Sequence, residues 1–486
     1  MNELLDNIFV SWWLLYVLEL WATKIPLKNK RSIIFFLWKY YVYIHTLVVC
    51  NIMGFYNSNS DNISDEYKAL STILYPGQFF QVTIPRMRFA LGELNAVSLN
   101  EIPTENFIER IEYKMYNNSN NDNDNDDKND NDDNMIPESQ RDHCTVRGLY
   151  VRNPEVATTN ENNKEMKVKT KKVLFWIYGG AYLAGDAEGN ISLANEFIKD
   201  CNADSVFIPS YRLAPESNID GVLWDVCLSY KFLLQKLQKE QEAKQQQGDE
   251  QEEETIEIVF IGISSGGALG LRLLQLIRDR TSCSGSSKQE EKKKPLIPSF
   301  LEPLIDDIII GMQTTIVKID IVGAVLFGPY IDYRNPLPKS DQSFIQNAQY
   351  DYIVNEAVQY WCLPYLDGFI PPTNEDYENH KNNESNNNND NNNANGRVVY
   401  SPITHDMNDL PPLCLIVSEH EVTYDMTIEI VNMVRRLEKK DKTAPSDITI
   451  GIWKHMCHVF SMLQAFVPEG KSSIQFAKEW IRTKTN

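Results

Sequence analysis

The chain has 486 residues, with 47 Lys and Arg against 67 Asp and Glu, a formal net charge of −20. This length suits one large α/β domain with appendages rather than a single small module. The acidic balance argues against a nucleic-acid-binding surface, so no nucleic-acid partner is expected, and a 42% hydrophobic fraction argues against a wholly unstructured chain.

The charge is unevenly placed. Residues 117–134 sum to −6, residues 239–254 to −5 and residues 374–396 to −4, which together hold −15 of the −20. These tracts of Asn, Asp, Gln and Glu carry almost no aliphatic side chains, so they read as solvated loops inserted into a compact fold. A Lys-rich interruption over 284–294 reads the same way.

Residues 1–57 form an apolar anchor or cap. Ile8–Ala22 is apolar but short and carries Glu19, whereas Ile33–Tyr56 is long enough to span a bilayer but contains Lys39, His45 and Asn51. Lys24, Lys28, Lys30 and Arg31 lie between the two runs, and no cleavage-site pattern marks a signal peptide. Two readings stand: a membrane anchor with its basic linker facing the cytosol, or amphipathic helices that cap a pocket or lie in the interface. Membrane association is expected here, at the endoplasmic reticulum, with a cytoplasmic location as the alternative.

Residues 58–139 read as a cap or linker region holding the Asp/Asn tract, and residues 140–486 as the catalytic domain. Strands are predicted at Thr145–Val151, Lys172–Tyr178, Ser205–Pro209, Ile256–Ile261, Ile319–Phe327, Leu413–Val417 and Asp447–Trp453. Several are unbroken aliphatic runs, as expected of strands buried on both faces of a mostly parallel sheet. Leu223–Leu237, Gly267–Arg278 and Tyr424–Lys439 read as amphipathic helices between them. The alternation predicts a doubly wound α/β fold.

Ile256–Ile261 runs into Gly262-Ile263-Ser264-Ser265-Gly266-Gly267, and an apolar helix follows. This is a GxSxG pattern on a strand–turn–helix, the context in which a serine projects from the top of a sheet. A serine hydroxyl needs a base to take its proton. The downstream candidates are His380, which sits within an Asn-rich tract, His405, His420, His455 and His458; His458 follows the strand ending near Trp453 and is favoured, with His455 its local competitor. An imidazole base needs a carboxylate to fix its tautomer, and Glu421 lies just past the strand Leu413–Val417. Asp425, at the start of the next helix, suits N-terminal capping instead. Gly179, Gly180 and Ala181 after Lys172–Tyr178, with Ser265 after the nucleophile, can present backbone N–H groups to an oxyanion. No nucleotide-binding glycine motif follows that turn. Tyr178 and Tyr182 are candidates for lining the substrate pocket. Phe327–Tyr333 and Tyr360–Tyr365 supply either pocket wall or core. The eight cysteines show no CxxC pair and no His/Cys spacing typical of zinc, so neither a metal nor an organic cofactor is expected.

The run Tyr178–Gly185 (YGGAYLAG), then Tyr211-Arg212-Leu213-Ala214-Pro215-Glu216 (YRLAPE) and Asp225, the GxSxG, the acid and the histidine resemble the hormone-sensitive-lipase-like branch of the α/β-hydrolases. With its apolar N-terminus the chain is similar to arylacetamide deacetylases and steryl acetyl hydrolases. The resemblance covers about Lys172 to Phe460. It implies an α/β-hydrolase fold, with helices on both faces of the sheet, and a Ser-His-acid triad without a cofactor. Four positions depart from the branch: Tyr178 stands for its leading His, Ala181 for the third Gly, Ile263 for an Asp beside the nucleophile, and Glu421 for the commoner Asp. The implied activity is hydrolysis of apolar or lipid-like esters, such as sterol acyl esters. Alternatives are an amide or arylformamide hydrolase using the same residues, and a silent ligand-binding relative.

Overall fold

The computed structural model describes residues 27–48, 63–77, 103–115, 144–154, 170–246, 255–284, 297–313, 317–333, 343–353, 399–440 and 447–485. Its frame is an eight-stranded sheet of β1 (Ile108–Lys114), β2 (Thr145–Arg152), β3 (Thr170–Ile177), β4 (Ser205–Pro209), β5 (Thr255–Ile263), β6 (Lys318–Phe327), β7 (Leu413–Ser418) and β8 (Ile448–Trp453). The spatial order is β1-β2-β4-β3-β5-β6-β7-β8; β1 and β2 pair antiparallel, as do β2 and β4, and the remaining pairs are parallel. This is the mostly parallel α/β sheet that the aliphatic runs predict, and each of the seven expected strands is present.

Because successive strand residues point to opposite faces, β3 shows how both faces are covered. Trp176 meets Phe197 of α3 (Ala187–Asp200) edge-on and donates its indole N–H to Asn190. Its neighbour Phe175 packs against Tyr230 of α4 (Ile219–Gln246) and Phe260 of β5. Helix α5 (Ser265–Ser284) packs on β5, β3 and β6, and α6 (Glu302–Met312) closes over α4 and α5. Helices α7 (Tyr424–Lys440) and α8 (Pro468–Lys484) follow β7 and β8, and α8 joins α3 through Lys478, which is ion-paired to Glu196 and Asp200.

Two expectations are corrected here. The linker assigned to 58–139 contains β1, whose Ile108 and Ile111 are buried while its charged residues stay wet, so the sheet starts well before residue 140. The acidic tract 239–254 begins inside α4, not in a loop. Gln241 is buried, and Glu240 is held by Lys171, Lys236 and Arg152. These ion pairs and the Gln241 packing extend the helix past its last aliphatic residue. Residues 247–254 of that tract, with 117–134, 285–294 and 374–396, lie outside the described residues.

At the N-terminus, α1 (Leu27–His45) and α2 (Asp65–Gly77) rest on the body of the fold. Trp38 meets Phe466 edge-on, Ser64 binds the Glu469 carboxylate through both N–H and hydroxyl at 2.7 Å, and Tyr67 is buried. Among the described residues no helix is long and apolar enough to cross a membrane. Ile8–Ala22 lies outside them, as does Asn51.

Candidate active site

Strand β5 stops at Ile263, and the chain reverses into α5 through Ser264, which adopts a left-handed φ of 51°. A non-glycine residue held there is strained, and the surroundings must impose it. They do so through β6 and its continuation: Ser264 N–H donates to Phe327 O at 2.8 Å, and Tyr330 N–H donates to Ser264 O at 3.2 Å. Gly266 is dictated by close approach, because a Cβ there would lie 2.2 Å from the carbonyl oxygens of both Ile177 and Tyr178. The serine turn is thus pressed against the strand end that leads into Gly179 and Gly180.

Strands β7 and β8 deliver the other two groups. His458 Nε2 lies 2.8 Å from Ser264 Oγ, and His458 Nδ1 lies 3.1 Å from Glu421 Oε2. All three are buried: Ser264 is 8% exposed, His458 2% and Glu421 0%. With Nδ1 facing the carboxylate, the tautomer that bears its proton on Nδ1 turns the Nε2 lone pair toward the hydroxyl. Glu421 is itself fixed, accepting the Ser418 N–H at 3.1 Å and the Thr423 hydroxyl at 3.2 Å. Its extra methylene relative to Asp leaves it within hydrogen-bond reach of the ring. Asp425 does not compete, since its carboxylate accepts the Ser343 N–H at 2.7 Å. His455 does not reach Ser264 and sits beside Glu419 and His420 instead.

The Gly179–Tyr182 turn lies alongside this chain of hydrogen bonds. Ala181 and Tyr182 are left-handed, at φ 53° and 64°, and the turn closes through Leu183 and Ala184 N–H groups donating to Gly180 O at 3.0 Å. Tyr178 is buried beneath the turn. Its ring stacks on Tyr211 at 4.4 Å, and Tyr211 Oη donates to Tyr178 O at 2.7 Å. Burial pushes both phenols well above their usual range, so they stay neutral. Tyr182 is also buried, with its hydroxyl against that of Tyr333 and 3.3 Å from Ser265 O. The YRLAPE block braces the same turn: Ala214 N–H donates to Tyr182 O at 2.8 Å, and Arg212 forks onto Asp225 at 2.8 and 2.7 Å. Phe327, Tyr330 and Tyr333 are buried as core, whereas Tyr360–Tyr365 and His380 lie outside the described residues.

Three residues that no motif announced complete the surroundings. Gly328, at φ 48°, passes so close that a Cβ would lie 2.5 Å from Glu421 Oε2 and 3.2 Å from His458 Nδ1; its N–H donates to Ile416 O at 2.8 Å. Thr423 also lies 3.5 Å from His458 Nδ1. The buried Asp351 carboxylate accepts the Val422 N–H at 3.0 Å and the His458 backbone N–H, so it ties the two loops together. Burial pushes its carboxyl up to about 6, an effect that His458 opposes and Glu421 reinforces.

Comparison with known proteins bears on the fold that carries these residues. The model of a family described as alpha/beta hydrolase fold matches residues 174–462. An acetyl-hydrolase of Streptomyces hygroscopicus is 33% identical over 85 residues, which are 18% of this chain and 26% of that protein, so the match spans about a quarter of the relative. Among solved structures, an esterase/lipase from an uncultured bacterium superposes with a TM-score of 0.50 at 18% identity, covering 87% of this chain and 99% of that one. An esterase from the bacterial hormone-sensitive lipase family superposes at 0.51 and 16% identity, with the same coverage. At these identities the structural likeness speaks for the fold.

Proposed function

Since the chain belongs to the alpha/beta hydrolase fold family, we propose that it is a serine carboxylic-ester hydrolase whose reacting groups are Ser264, His458 and Glu421. The observation that carries this reading is the buried chain from Ser264 Oγ through His458 to Glu421, with links of 2.8 and 3.1 Å. Its polarity suits proton removal: Nε2 takes the hydroxyl proton as Oγ attacks the ester carbonyl, while Glu421 stabilises the imidazolium that forms. The N–H groups of Gly180, Ala181 and Ser265 receive the oxyanion, and Gly179 shapes their turn. Collapse of the tetrahedral intermediate expels the alcohol, which takes the proton from His458. Water activated by the same imidazole then releases the acid and frees Ser264.

The substrate class is an apolar or lipid-like ester with a short acyl group. The partial match to an acetyl-hydrolase supports the short acyl chain. The N-terminal helix supports the apolar alcohol. Ile33, Phe36, Leu37, Tyr40, Tyr43, Ile44 and Leu47 of α1 and the turn after it form an exposed stripe at helical spacing, with Phe36 70% and Tyr43 65% exposed. An aromatic-rich apolar stripe beside a basic N-terminal stretch suits peripheral contact with a lipid surface rather than a bilayer span.

Fluorophosphonate labelling of the wild type beside Ser264→Ala tests the nucleophile. Wild type labels and the variant does not; a folded wild type that resists the probe would overturn the enzyme reading. A panel of acyl esters beside an arylformamide then reads substrate class, and faster formamide cleavage would replace the ester reading. Flotation with lipid vesicles tests the stripe. Wild type co-floats, Phe36→Glu/Tyr40→Glu does not, and failure of the wild type to co-float removes the lipid contact.

A further inference from the structure

The expectation of no metal rested on spacing along the chain, yet the sheet brings together a donor set that no local spacing reveals. Ser418 and Trp453 are paired at the ends of β7 and β8, and Glu419 N–H donates to Trp453 O at 3.0 Å, so the two loops leave the sheet side by side. One carries Glu419 and His420, and the other carries His455 in a left-handed conformation at φ 60°. His455 Nδ1 lies 3.3 Å from His420 Nε2 and 3.5 Å from Glu419 Oε1, and the three donor atoms all fall within 4.8 Å of one another.

We propose that Glu419, His420 and His455 form a binding site for a divalent transition-metal cation of the zinc class, which straps the loop carrying Glu421 to the loop carrying His458. A tetrahedral ion with ligands at about 2.0–2.1 Å has neighbouring donors about 3.3–3.4 Å apart, close to the two separations measured here. Two imidazole nitrogens and one carboxylate oxygen are the donor set of that class, whereas magnesium and calcium favour oxygen alone. The convergence is also costly without an ion. Nδ1 of His455 faces both an imidazole nitrogen and a carboxylate, and its single N–H can serve only one of them fully. A cation satisfies all three lone pairs at once.

Two further features suit the role. The ring of Tyr350 stacks on His420 at 4.4 Å and 16°, fixing the plane of that ligand. All three side chains are partly exposed, so an ion can enter from solvent and take water as its fourth ligand. The site lies outside the reacting groups: Glu421 is two residues beyond Glu419, and His458 three beyond His455. The cation's effect is therefore on loop alignment and stability, not on bond cleavage, and it stands independently of the hydrolase reading.

The full chain, stripped with a chelator, is titrated with Co²⁺ and with Zn²⁺. The expected result is one ion per chain at this site, tetrahedral Co²⁺ absorption displaced by Zn²⁺, and a melting temperature raised by several degrees. His420→Gln and His455→Asn each weaken binding tenfold or more, and the double variant loses the absorption and the melting shift. Ser264→Ala keeps both. Asn suits the left-handed backbone at 455, and circular dichroism checks that the variants fold. A second measurement needs no variant: Zn²⁺ slows diethylpyrocarbonate modification of His420 and His455 in the wild type. Absence of cobalt absorption and of a melting shift, equal binding by the folded double variant, or unprotected His420 and His455 would each overturn the proposal.

Discussion

Replacing Gly328 with Ala probes how closely Glu421 and His458, the proposed acid and base, are confined. The added Cβ would stand 2.5 Å from Glu421 Oε2 and 3.2 Å from Cε1 and Nδ1 of His458. Ordinary contact begins near 3.4 Å, so the carboxylate must retreat by about 0.9 Å, which stretches its 3.1 Å link to His458 toward about 4 Å, beyond hydrogen-bond range. A displacement of about 1 Å among reacting groups costs on the order of 100-fold in rate, or about 2.7 kcal/mol of barrier. The φ of 48° adds roughly 1–2 kcal/mol of backbone strain for any residue with a Cβ, so the melting temperature falls by only a few degrees. Steady-state kinetics on a short-chain nitrophenyl ester, fluorophosphonate labelling rates and thermal denaturation read the two effects separately. Gly311→Ala is the control, since its nearest neighbour is a flexible Leu234 atom at 3.6 Å. A Gly328→Ala protein that melts like the wild type and keeps a third or more of its kcat/KM would refute the reasoning.

Thr423→Val removes one hydrogen bond to Glu421 and should lower kcat about fivefold with little change in KM, matching about 1 kcal/mol, as steady-state kinetics will show. Arg212→Lys cannot reproduce the fork onto Asp225; a loss of about 1–2 kcal/mol is expected in urea denaturation, with Arg212→Ala losing more. Asp351→Asn tests a pH dependence. The folded carboxyl titrates near 6 and the unfolded one near 3.8, so the native state holds the extra proton between them, and wild-type stability falls as pH rises from about 4 to about 6. Asp351 is faced by Glu421, His458, Cys457, Tyr67 and Tyr352; the Tyr67 phenol and the Cys457 thiol stay neutral over this range because burial raises them. Denaturant midpoints across that window should slope less in the Asp351→Asn protein, and an unchanged slope would assign the dependence to other groups.

Strands β2 to β8 were legible because runs such as Val173–Ile177 are apolar without interruption, which follows from burial on both faces. β1 was not, because an edge strand has one paired neighbour and a wet face, and IERIEYK reads as a charged segment. Helix α3 hid behind Asn190, Ser192 and Asn195, although its signals were present: Asp186 caps Gly189 N–H, and Ile191, Ala194, Phe197 and Ile198 share a buried face. Ser264, Glu421 and His458, which the structure brings together and which we propose as the reacting groups, could be picked out because each follows a readable strand at a set distance. Asp351 and Gly328 could not, since their importance lies in contacts to backbone and side chains far along the chain. His455 shows the same limit: local pattern set it aside as a failed base, while its company with Glu419 and His420 exists only in space.

Strand β6 carries none of Ser264, His458 and Glu421, yet Phe327 O holds Ser264 and Gly328 N–H holds Ile416. The separation between Ser264 and Glu421 is therefore set by strand spacing, about 4.8 Å per neighbour, and not by the length of polypeptide joining β6 to β7. A fold built this way is a natural candidate for division into two separately expressed pieces. Severed within 374–396, the pieces would carry Ser264 on one and Glu421 with His458 on the other. The proposed ester hydrolysis would then report whether Ala324 has found Leu413 again, turning the β6–β7 register into a switchable reporter of fragment association.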